Sequence, residues 1–159
     1  LKLGSGIARV HDLDRLGVQL GLGADGAPCN NNMDPWTELR SAALLAKART
    51  SETALPAQRA LRLATKDGAF ALGLGHETGS IEPGKRADLV VVRIDGAHVE
   101  PGGDVVSKLV YACKSSDVVH VFASGKHVVR NGEHTLFSHD AIVRDARKHG
   151  VGLRQRAGL

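Results

Sequence analysis

The sequence predicts an α/β chain with two textures, and three observations carry that expectation. Between residues 18 and 25 apolar side chains alternate with small or polar ones, the period-2 signature of a strand, and helical patterns lie on either side. From Gly79 onward, short apolar runs are separated by tight-turn dipeptides and read as a small β module. Only 3% of residues are aromatic against 42% hydrophobic, so the core must be built mostly from Ala, Val and Leu, a profile suited to α/β packing.

Residues 1–8 contain Gly4, Ser5 and Gly6 and read as a strand end running into a loop. Residues 10–16 allow two helical turns with Leu13 and Leu16 on one side and Gly17 past the C-terminus. In the strand that follows, Val18, Leu20, Leu22 and Ala24 share a greasy face, while Gln19, Gly21, Gly23 and Asp25 share a nearly bare one. Glycines inside a strand mark a close approach, either to backbone or to a ligand. Asp25 stands at the strand's C-terminal tip, the position where parallel α/β barrels carry catalytic groups. The alternative is a turn-forming or capping Asp25, because Asp-Gly is a common turn dipeptide. Residues 26–34 read as a Gly/Pro/Asn loop, with Asn31 and Asn32 closing it or capping the next helix.

Asp34 followed by Pro35 predicts a helix start, and Trp36, Leu39, Ala43 and Ala46 recur at helical spacing up to about Ala48. Pro56 opens a further helix with Leu61 and Ala64 inward, and residues 67–73 continue as a short helix stopped by Gly73. Pro83-Gly84 fits a type II turn, and residues 88–94 (DLVVVRI) form a continuous apolar strand. A short helix is expected over 105–113, where Val106, Leu109, Val110 and Cys113 share a face. Residues 118–123 and 128–130 are strands joined through Ser124, Gly125 and Lys126, and Asn131-Gly132 marks another tight turn. Ser138 caps a last helix reaching about His149, with Ile142 and Ala146 inward and Gly150 ending it.

Three blocks, LKLGSGIA at 1–8, LGADGAPCNN at 22–31 and GSIEPGKRADLVVV at 79–92, resemble in order the C-terminal part of the amidohydrolase superfamily. Within it the chain is similar to the cytosine-deaminase-like group, which holds S-adenosylhomocysteine, methylthioadenosine and 5'-deoxyadenosine deaminases and the triazine chlorohydrolases. The resemblance implies the C-terminal part of a TIM-type (β/α)8 metal-dependent hydrolase barrel over 1–75. It further implies a small β-sandwich module over 76–135, followed by a C-terminal helix and basic tail over 136–159.

Enzymes of this group hold a divalent ion with an HxH pair from the first strand, histidines from the fifth and sixth, and an aspartate from the eighth. Asp25 in LGADG matches that aspartate, as metal ligand and catalytic group; the histidines would lie upstream of Leu1. Zinc is the expected metal, with iron as the other candidate. A bound divalent ion lowers the pKa of its water to roughly 7, and a neighbouring carboxylate can take that proton and later give it to the leaving amine. The implied reaction is hydrolytic deamination of an aminated purine, nucleoside or related heterocycle. Cys29 and Asn30, on the loop after Asp25, are the candidate substrate contacts; serine is frequent at the Cys29 position in this group, so the thiol is a departure. A nucleophilic Cys29 is disfavoured because no histidine neighbours it in sequence.

Eight histidines occur, but no HxH, HExxH or clustered His/Cys set, so surface or structural roles are expected for all of them. The formal charge of +4 is matched by residues 144–159, where Arg144, Arg147, Lys148, Arg154 and Arg156 face only Asp145. With few aromatics for base stacking, neither a nucleic-acid nor a membrane partner is expected. Cys29 and Cys113 form no CxxC pair and read as free thiols of a cytoplasmic protein. The chain starts at Leu1 without methionine and reads as a C-terminal piece, inactive alone. Its expected partners are the missing N-terminal part of the same protein, a small heterocyclic substrate and further copies of itself in a homo-oligomer. The competing readings are a catalytically silent scaffold of the same fold, a triazine-type chlorohydrolase, and a nucleic-acid binder using the basic tail.

Overall fold

The computed structural model describes residues 2–158; Leu1 and Leu159, at the ends of the first and last predicted segments, lie outside them. The chain is α/β: the first half is helical and the second carries an antiparallel sheet.

Helix α1 (Val10–Arg15) ends as its glycine requires. Gly17 adopts φ 75°, its N–H bonds Asp14 O at 3.0 Å and the Val18 N–H bonds Leu13 O at 3.1 Å, a Schellman closure. The chain then runs extended from Val18. Leu20, Leu22 and Ala24 are half-buried while Gln19, Gly21, Gly23 and Asp25 are exposed, so the predicted alternation of faces is present from Leu20 onward; Val18, expected on the apolar face, is exposed. The predicted strand ladder is not. Among the described residues this stretch has no strand beside it, and Leu22 N bonds Leu63 O at 3.3 Å instead. A strand is defined by its neighbours, and the pattern of side chains alone does not supply them. Gly21 makes the predicted close approach, since a Cβ there would meet Gly68 Cα at 3.0 Å.

A short helix, α2 (Ala27–Asn30), replaces the predicted loop. Helix α3 (Pro35–Arg49) starts at the predicted cap: Asp34 accepts from the Trp36 N–H at 2.9 Å and from the Thr37 hydroxyl at 2.9 Å. Helices α4 (Ala57–Ala64) and α5 (Lys66–Ala71) follow. In α4 the fully buried pair is Ala60 and Leu63; the expected Leu61 is half-buried against the same core, whereas Ala64 is exposed. Residues 60, 61, 63 and 64 are all apolar, so the apolar face is wide, and packing under α3 centres it on Ala60 and Leu63 with Leu61 at its edge. The core joins Leu39, Ala43 and Ala46 of α3 to Leu55, Ala60, Leu63 and Val110, with Leu20 and Leu22 packed against it. Arg59 pins the edge of this layer. Its guanidinium bonds Asp14 of α1 at 2.9 and 3.0 Å and also Asp67 of α5, which Arg62 approaches at 3.0 Å. The Asp67 carboxyl is held below the usual range by Arg62, and by Arg59 against the opposing effect of burial.

The second half is a four-stranded antiparallel meander: β1 (Leu89–Val92), β2 (Val118–Ala123), β3 (Lys126–Arg130) and β4 (Glu133–His134), in that spatial order. Ser124 and Gly125 turn β2 into β3 with φ 50° and 78°, and Asn131 and Gly132 turn β3 into β4 with φ 53° and 81°. Both positions of each turn are left-handed, as tight two-residue hairpins require. Between β1 and β2 the predicted helix forms as α6 (Val105–Ser107) continuing into a π-helical turn (Lys108–Ala112), which buries Val110 and, just past its end, Cys113.

Helix α7 (His139–Ala157) departs most from expectation. It starts at the predicted Ser138 cap but runs through Gly150 and Gly152, ending where Gly158 turns left-handed at φ 70°. A mid-helix glycine costs only about 1 kcal/mol relative to alanine, which weakens a helix without terminating it. The expected inward face is absent: Ile142 is 49% exposed and no α7 residue is buried. No helix among the described residues is long and apolar enough to cross a membrane.

The β2–β3 hairpin carries a histidine pair whose charge state follows from its partners. Arg130 Nε donates to His127 Nδ1 at 3.3 Å, so the His127 hydrogen sits on Nε2, which meets His120 Nδ1 at 3.2 Å. Desolvation, then Arg130 and His120, push the His127 pKa down. The unfolded chain therefore takes up a proton before the folded one as pH falls. The contribution to stability is complete above about pH 6.5, the ordinary histidine value, and is lost as pH drops through the lower folded value. Amide exchange within 118–130, corrected for intrinsic rates, is expected to be faster at about pH 5 than at about pH 7.5, and the difference should shrink in His127→Gln.

Candidate active site

Asp25 ends the extended run that rests on the helical core through Leu20 and Leu22. Its backbone is left-handed, at φ 57°, a conformation Asp tolerates better than most residues but one that still costs about 1–2 kcal/mol. The side chain is exposed. Its Oδ2 accepts from Cys29 Sγ at 3.1 Å, and that bond, with the Gly26 N–H behind it, holds the carboxyl below the usual carboxylate range. Asp25 is therefore an anion at neutral pH, and no ion pair is formed with it among the described residues.

Cys29 is governed by the same contact in the opposite sense. Asp25 and then burial raise its pKa, so it stands as a donating thiol and not as a thiolate nucleophile. It lies in α2, whose single turn brings position 29 back over position 25. Asn31, at φ 64°, closes α2 and accepts from Lys2 Nζ, while Lys2 also bonds Pro28 O at 2.9 Å. Asn32 reaches Thr37 Oγ1 at 3.4 Å, so both asparagines close the loop.

Asn30 is placed differently from the other two. Its Nδ2 donates to Ala24 O at 3.1 Å and to Glu38 Oε1 at 2.8 Å, and its Oδ1 accepts from Asn32 N at 2.9 Å. Glu38, absent from the sequence reading, is thereby part of the site's frame. The sequence signal that could have found it is an acidic residue in the first turn of α3, eight positions after Asn30. Asp34 joins this frame to the β module, because Ser115, just before β2, donates to it. Burial pushes the Asp34 carboxyl up, but the bonds from Ser115, Thr37 and the α3 amides outweigh it and the pKa is lowered.

The structure thus brings Asp25, Cys29 and Asn30 together on one exposed turn. Among the described residues no group of three or more His, Cys, Asp or Glu side chains is placed to hold a metal ion. An exposed, ionised carboxylate engaged only by neutral donors fits one oxygen ligand of a divalent ion whose other ligands come from elsewhere.

The pattern that defines the Amidohydrolase family matches residues 1–128. The chain is 41% identical over 149 residues to a 5-methylthioadenosine/S-adenosylhomocysteine deaminase of Syntrophomonas wolfei, covering 93% of this chain and 35% of the relative. It is 43% identical over 157 residues to a 5'-deoxyadenosine deaminase of Methanosarcina barkeri, covering 98% of this chain and 36% of that protein. The crystal structure of an adenosine deaminase from Xanthomonas campestris with bound zinc superposes with a TM-score of 0.94 at 41% identity, over 97% of this chain and 35% of that one. The chain spans about 35% of the length of such relatives. With the family pattern covering most of its length, the chain belongs to the amidohydrolase family.

Proposed function

We propose that this chain is the C-terminal portion of a metal-dependent aminohydrolase that deaminates an aminated purine nucleoside of the methylthioadenosine, S-adenosylhomocysteine or 5'-deoxyadenosine type. The observation that carries the reading is the Asp25 carboxylate: exposed, anionic, unpaired by any cation among the described residues, and presented at the end of an extended run. Residues 1–75 complete a (β/α)8 barrel, and the run from Val18 pairs there with strands from an upstream region. Residues 76–135 form the later part of a β-sandwich, and 136–159 a terminal helix and basic tail. The upstream region supplies the histidine ligands, and the whole assembles as a homo-oligomer in the cytoplasm, where Cys29 and Cys113 stay free thiols.

Asp25 is the residue of this chain that would hold the ion. Zinc, supported by the zinc bound in the Xanthomonas campestris enzyme, would supply Lewis acidity that makes water nucleophilic near neutral pH. Water adds to the ring carbon bearing the amino group. Asp25 takes one of its protons and passes it to the departing nitrogen, the other proton ends on the adjacent ring nitrogen, and ammonia leaves an oxo group behind. Cys29 borders the ring beside Asp25, whereas the Asn30 carboxamide, expected from the sequence as a second substrate contact, is engaged by Ala24 O, Glu38 and the Asn32 N–H.

The complete protein, purified with zinc and assayed for ammonia release, is expected to act on methylthioadenosine, S-adenosylhomocysteine or 5'-deoxyadenosine and to lose that activity on chelation. Residues 1–159 alone are expected to be inactive. A zinc-replete protein that releases no ammonia from any aminated purine would overturn the reading.

A further inference from the structure

We propose that Asn30, braced by Glu38, is the positioning residue of this site: its carboxamide fixes the Ala24–Asp25 peptide and through it the aim of the Asp25 side chain. The inference rests on the reading of Asp25 as the proton-transfer group.

The geometry of the amide carries the argument. Ala24 O belongs to the peptide unit whose nitrogen is that of Asp25. That unit is planar, so holding its oxygen fixes the plane from which the Asp25 φ is measured. Asn30 Nδ2 holds this oxygen at 3.1 Å. The second hydrogen of the same nitrogen goes to Glu38 Oε1 at 2.8 Å, and Oδ1 takes the Asn32 N–H at 2.9 Å. Two acceptors at one end of the carboxamide and a donor at the other admit a single orientation. An asparagine that only closed its own turn would bond neighbouring backbone; this one also reaches six residues back and eight residues forward.

What is held in place would otherwise relax. At φ 57° Asp25 sits in the left-handed region without being glycine, a state that persists only where its surroundings impose it. The imposed path runs from the core through Leu39 of α3 to its neighbour Glu38, then to Asn30, and from there to the peptide preceding Asp25. Rotation of that peptide toward an ordinary φ swings the Asp25 Cβ and breaks the 3.1 Å contact with Cys29. A displacement of about 1 Å in a proton-transfer group costs on the order of 100-fold in rate without changing what the substrate touches.

The test compares Asn30→Ala, Glu38→Ala, Glu38→Gln and the Asn30→Ala/Glu38→Ala double variant of the complete zinc-loaded protein, with 5'-deoxyadenosine as substrate and with zinc content and melting temperature measured alongside. Asn30→Ala is expected to lower kcat about 10- to 100-fold with KM within about twofold and zinc retained. Glu38→Gln keeps an oxygen acceptor at the same reach and should retain most of kcat, whereas Glu38→Ala should approach Asn30→Ala, and the double variant should be no worse than Asn30→Ala. A raised KM with unchanged kcat in Asn30→Ala would make it a substrate contact, and Glu38→Gln as damaging as Glu38→Ala, or additive losses, would break the pairing; each overturns the proposal. If Asn30→Ala does not fold, the two Glu38 variants decide. A fully active Asp25→Asn removes the underlying reading, whereas an inactive Asp25→Asn beside a fully active Asn30→Ala removes only this inference.

Discussion

Replacing Asp25 with asparagine in the complete protein is expected to lower kcat by at least about 10³-fold, within the range of a lost general acid-base group, while the fold survives. Asparagine keeps the size of the side chain and one oxygen. What it removes is the negative charge and the site that takes up a proton. It also replaces an acceptor with an amide that can turn its NH₂ toward Cys29, so the 3.1 Å thiol contact to Oδ2 is no longer assured. Zinc content should fall together with the rate, because a neutral amide is a poorer ligand than a carboxylate for a divalent ion. Ammonia release and metal analysis of the same preparation read both effects. An Asp25→Asn protein with an undiminished rate would take Asp25 out of the chemistry and leave only its conformational role at the end of the extended run.

Truncating Leu63 to alanine is expected to give a large loss of stability, about 2–5 kcal/mol, visible as a lower urea midpoint of the complete protein. Leu63 is 0% exposed and sits among Leu39, Leu55, Ala60 and Val110, so removal of its side chain leaves a void that α3 and α4 cannot both close over. Its backbone oxygen also receives the Leu22 N–H at 3.3 Å, which makes this residue the seat of the run that presents Asp25. Activity should therefore decline at temperatures well below the unfolding transition. A change under about 1 kcal/mol would mean that α4 does not pack its Ala60–Leu63 face inward.

How much of this could be read in advance depended on whether the cause was local. The start of α3 at Asp34-Pro35, the Asn131-Gly132 turn and the β2 boundaries are fixed by residues within two or three positions of each other, and they stand where the sequence placed them. The two faces of residues 20–25 were legible for the same reason, since alternation is a property of one extended chain. The ladder was not, because pairing depends on a neighbour that these residues do not encode. The inward face of α4 was half legible: Leu61 packs on the core as expected, but the centre of that face at Ala60 and Leu63 is set by the position of α3. Helix α7 outran its forecast because Gly150 keeps helical backbone, whereas Gly158 does not.

At the candidate site, Asp25 at the end of the extended run was legible, but the sequence placed Cys29 on a loop, and its bond to Asp25 follows from the α2 turn. Family resemblance, not spacing, gave Asp25 its proposed role. The Asn30–Glu38 bond was hidden because Asn30 was read as a candidate substrate contact and Glu38 was not singled out, and nothing in a linear reading joins two residues across two helices.

The meander sets an order of events during folding. Strands β2, β3 and β4 follow one another in space as in sequence, so their hydrogen bonds close only two-residue loops, and such hairpins form in about 1–10 μs. β1 lies beside β2 but is separated from it by residues 93–117, whose ends must meet before that ladder is rewarded. The sheet is therefore expected to zip outward from Ser124-Gly125 and to recruit Leu89–Val92 last, after α6 and the π-helical turn have shortened the intervening path.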